Sequence, residues 1–214
     1  MSRHLKFDIP GPDRRVGFEE LRERGVAAAF APDVAAPLPL VVEIGFGRGE
    51  FLLALAAAQP ARAFLGVEYS NKRSLKMARR LARSGLANVR ILQARGEDVV
   101  RELLPEGCVE SFWVNFPDPW PKKRHRRRRL VQPALVRELA LRLVPGGALH
   151  VATDDADYAE EIHLALAGEP LLENALAPER FAREVAGRTA TAYELEWRAE
   201  GRPLHFFTYR RRAA

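Results

Sequence analysis

LVVEIGFGRG, residues 40–49, determines how this chain folds. Its apolar run leads directly into three glycines at alternate positions, Gly45, Gly47 and Gly49, and the helix-like stretch Phe51–Ala58 follows. Glycine tolerates positive φ and lets the backbone approach a ligand closely. A strand, a glycine loop and a helix in this order are typical of the first unit of an open parallel sheet, whose ligands bind at the carboxyl ends of the strands.

Strands and helices alternate along the rest of the chain. We predict strands at 40–44, 63–67, 88–93, 109–116, 147–153 and 204–210, with helices at 51–58, 70–85, 97–104, 133–143 and 158–166. Connections of this length favour right-handed crossovers and a mainly parallel sheet. The sequence therefore predicts an α/β fold with helices on both faces of one sheet.

The chain divides by composition near residue 40. Residues 1–39 hold five of the fifteen prolines and no convincing strand, so we expect a partly mobile N-terminal arm with a short helix around Phe18–Arg24. Residues 40–214 are expected to form one domain, because 214 residues are close to the length of a single-domain protein.

Apolar runs and cysteine usage limit the cellular context. The longest uninterrupted apolar run is Phe51–Ala58, whereas a membrane span needs about 20 residues. The first ten residues lack the apolar stretch of a signal peptide. Cys108 is the single cysteine, which excludes an intramolecular disulfide. We expect a cytoplasmic protein without a membrane partner.

Positive charge is concentrated in one segment. KKRHRRRR, residues 122–129, contributes seven of the 34 basic residues. The remaining 27 nearly balance the 28 acidic residues, and Arg210–Arg212 form a second, smaller cluster. Basicity this localised indicates that a polyanion docks at one place.

The glycine loop favours a ligand without phosphate. Its spacing is G-x-G-x-G, and Glu50 stands where the dinucleotide fingerprint has its third glycine. A carboxylate there would repel a pyrophosphate, whereas S-adenosylmethionine carries an ammonium and a sulfonium. Glu43 could receive the ammonium or help to fix the loop, and Glu68 could accept both ribose hydroxyls. A nicotinamide cofactor, or a plain tight turn with a solvated Glu68, remains an alternative.

A proline-rich segment joins the fourth predicted strand to the basic run. Pro117, Pro119 and Pro121 stiffen it, and Asp118 stands beside Trp120 at the same sheet edge. A carboxylate can accept hydrogen bonds from N1–H and the N2 amino group of guanine, and an indole offers a stacking surface. Alone, Trp120 would be a packing residue and the charge run a solvated face. Because Trp120 and the basic run are adjacent at the predicted ligand edge of the sheet, together they favour RNA as the substrate.

Five motifs in order resemble one family. They are EIGFGRG (43–49), GVE (66–68), NFPDPWPKKRHRRRR (115–129), ATD (152–154) and TAYE (191–194). Together they are similar to the bacterial tRNA (guanine-N7)-methyltransferases, and the resemblance runs from about residue 38 to the end. It implies a Rossmann-like class I methyltransferase fold with a seven-stranded sheet.

The resemblance also implies a reaction. S-adenosylmethionine is the cofactor and S-adenosylhomocysteine its product, and tRNA carries the new 7-methylguanosine in its variable loop, at conventional position 46. These enzymes stand alone, so no obligatory protein partner is implied, and a monomer and a homodimer are both open. Another RNA or base as substrate, or a non-catalytic RNA-binding protein, are the competing interpretations.

Site residues follow from the matching motifs. The expected cofactor-binding residues are Glu43, Gly45, Gly47, Glu68, Arg95 and Asp118, with Asp118 also catalytic; the substrate-binding residues are Lys122, Asp154, Thr191 and Glu194. Arg95 departs from the family pattern, because many relatives carry Asp or Asn at this position. This departure argues against a side-chain contact to the adenine or ribose and leaves a backbone contact around residues 95–97 as the alternative.

Three of these residues also have a structural interpretation. Asp154 precedes a predicted helix and could cap it, and Thr191 with Glu194 matches the T-x-x-E capping box.

No metal is expected, because the five histidines lack ligand spacing. Guanine N7 has a lone pair and no proton to lose, so no strong general base is needed.

Overall fold

The computed structural model describes residues 8–34, 37–186 and 188–213. Eight strands form one sheet in the order β1-β4-β3-β2-β5-β6-β8-β7. The strands are β1 (Arg15–Val16), β2 (Leu40–Ile44), β3 (Ala63–Val67), β4 (Val89–Leu92), β5 (Val109–Asn115), β6 (Leu143–Thr153), β7 (Leu172–Asn174) and β8 (His205–Arg211). All pairs from β1 to β6 are parallel, and β8 lies antiparallel between β6 and β7.

Seven α-helices accompany these strands in the described ranges. They are α1 (Phe18–Arg24), α2 (Glu50–Ala58), α3 (Asn71–Ser84), α4 (Gly96–Glu102), α5 (Pro133–Arg142), α6 (Ala156–Ala167) and α7 (Ala192–Ala199), with 3₁₀ helices at Val26–Ala29 and Lys123–Arg128. None of them is long and apolar enough to cross a bilayer.

Two apolar cores, one on each face, cover the central strands. Helices α2 and α3 pack in one core, and α1, α4, α5 and α6 in the other. Every residue of β2 and of β3 is buried, as expected for strands covered on both faces. The prediction of a mainly parallel sheet between two helical layers is confirmed.

Helix α3 shows how local sequence sets the ends of an element. The hydroxyl of Ser70 accepts a hydrogen bond from the Arg73 backbone N–H at 3.4 Å, and Gly85 ends the helix with φ 73°. Both the cap and the terminating glycine were expected. Pro133 likewise begins α5, in the first helical position.

The sheet has one strand more than the seven expected. β1 lies in the N-terminal arm, where no strand was expected, and the Ile91 N–H donates to the Arg14 carbonyl at 3.1 Å. Two residues are too few to show an alternating pattern. The short helix predicted at Phe18–Arg24 is α1, and Leu21 and Phe30 are buried in the core. The arm's first seven residues lie outside the described ranges, and its partial mobility stays a prediction.

Gly66, in the middle of β3, lets α2 pack closely on the sheet. A methyl group at this position would lie 2.4 Å from Leu52 Cδ2 and 2.9 Å from Phe46 Cδ1. We expect Gly66→Ala to lower the free energy of unfolding by about 1–3 kcal/mol through overpacking, measured by urea denaturation. Combined with Leu52→Ala, which makes room, the loss should be smaller than the sum of the two single losses. Strict additivity would contradict this packing account.

Candidate active site at the carboxyl edge of the sheet

A cavity of about 330 Å³ opens at the carboxyl ends of β2 and β5. Six residues predicted from the sequence line it: Glu43, Gly45, Gly47, Asp118, Asp154 and Thr191. Four others, Glu68, Arg95, Lys122 and Glu194, are not among its lining residues. The structure therefore brings the glycine loop and Asp118 to one cavity.

Glu68 holds the glycine loop in place. Its carboxylate accepts hydrogen bonds from the backbone N–H groups of Gly47 at 3.0 Å and Ser70 at 2.9 Å. The side chain is buried, so these bonds compensate for lost hydration. Gly45 and Gly47 have φ of 78° and 56°, in the region that favours glycine. Fixing the loop, which the sequence analysis considered for Glu43, is thus done by Glu68.

The third glycine serves helix packing. Gly49 has φ 77°, and a Cβ atom there would lie 2.2 Å from Met77 Sδ on α3. The next residue, Glu50, begins α2 and pairs with Arg80 of α3 at 3.0 Å. Both contacts hold the glycine loop against α3.

Glu43 is a buried carboxylate with one unpaired oxygen. Oε1 accepts a hydrogen bond from Asn115 Nδ2 at 2.9 Å, whereas the buried Oε2 has no hydrogen-bond partner among the described residues. Burial raises the pKa of Glu43 to about 7, the Asn115 bond and the charge of Arg188 oppose this rise, and the charge of Glu68 adds to it. The free oxygen is available to a cationic group in the cavity.

Arg188 acts on Glu43 through its charge and through Asn115, which contacts both residues. Nothing in the sequence indicated this role. The Arg188 guanidinium donates to Asn115 Oδ1 at 2.6 Å and to Glu194 Oε2 at 3.2 Å. The rings of Phe51, Trp113 and Phe206 surround it, with ring centres 5.0–5.4 Å from Cζ. This burial lowers the pKa of Arg188. A single arginine in an arginine-rich chain gives no sequence signal, whereas Asn115 lies in a quoted motif.

The TAYE motif makes only half of the predicted capping box. The Thr191 hydroxyl accepts a hydrogen bond from the Glu194 backbone N–H at 3.0 Å and begins α7. The Glu194 carboxylate instead pairs with Arg188 at 3.2 Å and with Arg198 at 3.0 Å. Two arginines attract the carboxylate more strongly than one backbone N–H. Thr191 reaches the cavity, and Glu194 lies buried behind it.

Asp118 stands exposed in the loop that follows β5. The flanking residues Phe116 and Trp120 have φ of 52° and 44°, which are rare for side chains of this size. Arg129 donates to the Pro119 carbonyl at 2.7 Å and holds the loop from below. Asp118 itself has no hydrogen bond or ion pair within the described chain, so its carboxylate is available to a ligand.

Most of the basic run, Lys123–Arg128, forms a 3₁₀ helix, and two arginines of the run bind helix α6. Arg126 and Arg129 pair with Asp157 and Glu161 of α6 at 2.8–3.2 Å. The Arg129 side chain is completely buried, and its hydrogen bond lowers the pKa of Asp157. These two arginines are structural.

The other five cations of the run remain exposed. We call them the free basic residues: Lys122, Lys123, Arg124, Arg127 and Arg128. In the described ranges none of them pairs with an acidic side chain, although Arg124 contacts His125 and Arg128 lies over the Trp120 ring at 5.0 Å. They form a positive surface next to the Asp118 loop.

Asp154 and Asp155 have separate tasks. Asp155 caps α6, accepting from the Tyr158 backbone N–H at 2.7 Å. Asp154, which the sequence analysis considered as a cap, faces the cavity and pairs with Arg202 at 3.3 Å. Arg95 lies at the start of α4 with an exposed side chain 3.5 Å from Glu97. Its cofactor contact stays a prediction.

Helix α7 forms a wall of the cavity; its TAYE start was expected at the substrate, whereas the aromatic pair of Tyr193 and Trp197 was not identified from the sequence. Tyr193 and Trp197 line the cavity and stack with centroids 5.4 Å apart. Arg48, in the glycine loop, lies over the Tyr193 ring at 5.1 Å and pairs with Glu196 at 3.2 Å. Aromatic spacing on a short helix is equally typical of core packing, so the sequence could not assign these residues.

Solved structures with similar folds are methyltransferases. The 16S rRNA methyltransferase KamB matches with a TM-score of 0.59 at 20% identity, covering 91% of this chain and 92% of its own. The antibiotic-resistance methyltransferase Kmr matches with a TM-score of 0.59 at 20% identity, over 88% of this chain and 94% of its own. At this identity the likeness establishes the Rossmann-like methyltransferase fold.

Sequence comparison is more specific. A family model described as "Putative methyltransferase" matches residues 37–207. The tRNA (guanine-N(7)-)-methyltransferase of Alkalilimnicola ehrlichii is 41% identical over 81% of this chain and 73% of its own length. That of Halorhodospira halophila is 42% identical over 81% of this chain and 75% of its own. The chain therefore belongs to the tRNA (guanine-N(7)-)-methyltransferase family.

Proposed function

We propose that this chain transfers a methyl group from S-adenosylmethionine to N7 of a guanosine in tRNA, in the variable loop at conventional position 46. The observation that carries the proposal is one cavity lined by Glu43, the glycine loop and Asp118, with the free basic residues beside it. Membership of the family gives the same reaction. Because the substrate is tRNA, we also propose that the protein acts in the cytoplasm.

The described residues fit the cofactor. A volume of about 330 Å³ lies within the usual range for small-molecule sites. Glu43 Oε2, buried and without a partner, is placed to accept a hydrogen bond from an ammonium group. The positive φ values of Gly45 and Gly47, which lack side chains, leave open space along the cavity wall. Glu68 lies at the end of β3, within reach of the loop it fixes.

When bound, S-adenosylmethionine supplies an electrophilic methyl group on a sulfonium. The chain's own residues then have two tasks. Asp118 accepts hydrogen bonds from the Watson–Crick edge of guanine and offsets the positive charge that the purine gains. Alignment of two bound reactants can contribute about 7–11 kcal/mol. Flipping or distortion of the variable loop brings the base to the cavity.

The direct test is a product analysis. Purified protein is incubated with unmodified tRNA and S-adenosylmethionine labelled in the methyl group, and the labelled nucleoside is then identified. 7-Methylguanosine in the variable loop supports the proposal. Label in another nucleoside or another RNA, or binding of tRNA without any label, would replace it with one of the competing interpretations.

Asp118 can be tested without disturbing the fold. Because its carboxylate is exposed and makes no hydrogen bond in the described structure, Asp118→Asn should keep the wild-type melting temperature and tRNA affinity. We expect methyl transfer to fall by roughly 100-fold or more, since a positioned group that stabilises developing charge is lost. Glu106→Gln, an exposed carboxylate on the surface, is the control and should leave turnover unchanged. Wild-type turnover in Asp118→Asn would refute the assignment.

Cofactor affinity should depend on the protonation of Glu43. Asn115, Arg188 and Glu68 face this carboxyl group, and its pKa of about 7 means that it is mostly neutral at pH 6. An ammonium group binds the ionised form, so affinity should be roughly eightfold tighter at pH 7.5 than at pH 6, with proton release on binding at pH 6. Calorimetry in two buffers of different ionisation enthalpy measures both. Glu43→Gln should bind weakly without this pH dependence; equal wild-type affinity at both pH values would exclude the role.

The two classes of cation in the basic run predict different losses. Replacing Lys122, Lys123, Arg124 and Arg127 by Gln should weaken tRNA binding and lower the salt slope by about 0.7–0.9 per lost phosphate contact, with stability unchanged. Arg129→Gln should instead lower the free energy of unfolding by about 1–3 kcal/mol, because the shorter buried side chain loses the hydrogen bond to the Pro119 carbonyl and the ion pairs to Asp157 and Glu161. Filter binding at several salt concentrations and thermal denaturation distinguish the two. An unchanged salt slope in the fourfold variant would mean that these cations do not contact tRNA.

A further inference from the structure

Helix α3 carries a second basic surface. Its 14 residues include six cations and no acidic side chain. We call these cations the α3 stripe: Lys72, Arg73, Lys76, Arg79, Arg80 and Arg83. The opposite side of the helix, with Met77 and Leu81, is buried against the sheet.

The six cations lie on one side of the helix. At 100° per residue, Lys72, Lys76, Arg79 and Arg83 fall within about 60° of one another, and Arg73 and Arg80 lie beside them. From position 72 to position 83 the stripe extends for roughly 16 Å along the axis. This length allows contact with several successive phosphates of one strand.

The stripe opposes the local stability of the helix. Lys72 and Lys76, Lys76 and Arg80, and Arg79 and Arg83 are like charges four residues apart, an arrangement that destabilises a helix. Lys72 and Arg73 also lie in the first turn, where the helix dipole disfavours cations. A feature that breaks two local rules is expected at functional sites.

Three members of the stripe are available to a ligand. Lys72, Lys76 and Arg83 are exposed, and within the described residues they make no hydrogen bond or ion pair. By contrast, Arg73 lies 3.7 Å from Glu68, and Arg80 pairs with Glu50 at 3.0 Å. The partnered arginines connect the helix to the glycine loop, and the three free cations continue the surface.

The stripe begins at the cavity. Arg73 lines it, and Arg80 donates to the Arg48 carbonyl in the glycine loop at 2.6 Å. Across the cavity lie Pro117 and Pro119, which lead into the free basic residues. Positive charge therefore flanks the cavity on two sides.

We propose that the α3 stripe is a second docking surface for phosphates of the tRNA whose guanosine enters the cavity. This inference rests on the proposed function. The Asp118 loop and the free basic residues hold the RNA on one side of the target base, and the stripe holds the backbone on the other side. Contacts at two separated surfaces fix the orientation of the RNA over the cavity. A single cluster of cations would leave the RNA free to rotate about it.

The test neutralises the three cations that have no partner. In the triple variant K72Q/K76Q/R83Q, tRNA affinity should fall, and the salt slope should decrease by about 2–3 for three lost contacts. Affinity for S-adenosylmethionine and the melting temperature should stay at the wild-type values. Unchanged tRNA affinity and salt slope would overturn the proposal.

A matched control separates docking from net charge. R22Q/R24Q/R101Q removes the same charge from α1 and α4, which pack in the core on the other face of the sheet. This variant should bind tRNA like wild type, and an equal loss in both triple variants would overturn the proposal. The proposed function fails separately, if wild-type protein binds tRNA without methylating guanine N7; the salt slopes still decide whether the stripe contacts RNA.

Discussion

The site depends on the burial of the Glu43 carboxylate. A carboxylate removed from water needs compensation, and here a hydrogen bond from Asn115 and the charge of Arg188 provide it. Compensation is incomplete, because one carboxylate oxygen has no partner in the described structure. We propose that a ligand cation completes it. Arg188 in turn binds Glu194, so the cofactor side of the cavity and the start of α7 share one buried chain of polar contacts.

Backbone geometry sets the two loops of the site in different ways. The glycine loop reaches positive φ at little cost, because it lacks side chains at the critical positions. Around Asp118 the same region of φ is imposed on Phe116 and Trp120, at a cost of order 1–3 kcal/mol each. Packing compensates for it: Phe116 lies against Trp197 and Phe206. The strain is stored beside the carboxylate that we propose to hold guanine.

Features that depend on short stretches of sequence were predicted correctly. The β2 and β3 bounds, the caps of α3 and the approach of Asp118 to the glycine loop followed from apolar runs, turn residues and the edge at which parallel strands end. β1 and β7 were missed because two or three residues give no periodic signal. The apolar positions of α3 predicted the helix, but no function was assigned from the sequence to its six cations.

Contacts between distant segments could not be predicted. Glu194 has a motif that signals a capping box, yet its carboxylate pairs with Arg188, whose position depends on three rings from three different elements. The eight letters of the basic run likewise give no indication that Arg126 and Arg129 face α6.

That division has an evolutionary consequence. Lysine carries the same charge as arginine, so exchange between the two should be tolerated at the five exposed positions of the run. It should not be tolerated at Arg129, whose planar guanidinium holds two carboxylates and a carbonyl at once. We therefore expect the exposed cations of the run to exchange freely between lysine and arginine among related sequences, whereas position 129 should stay arginine.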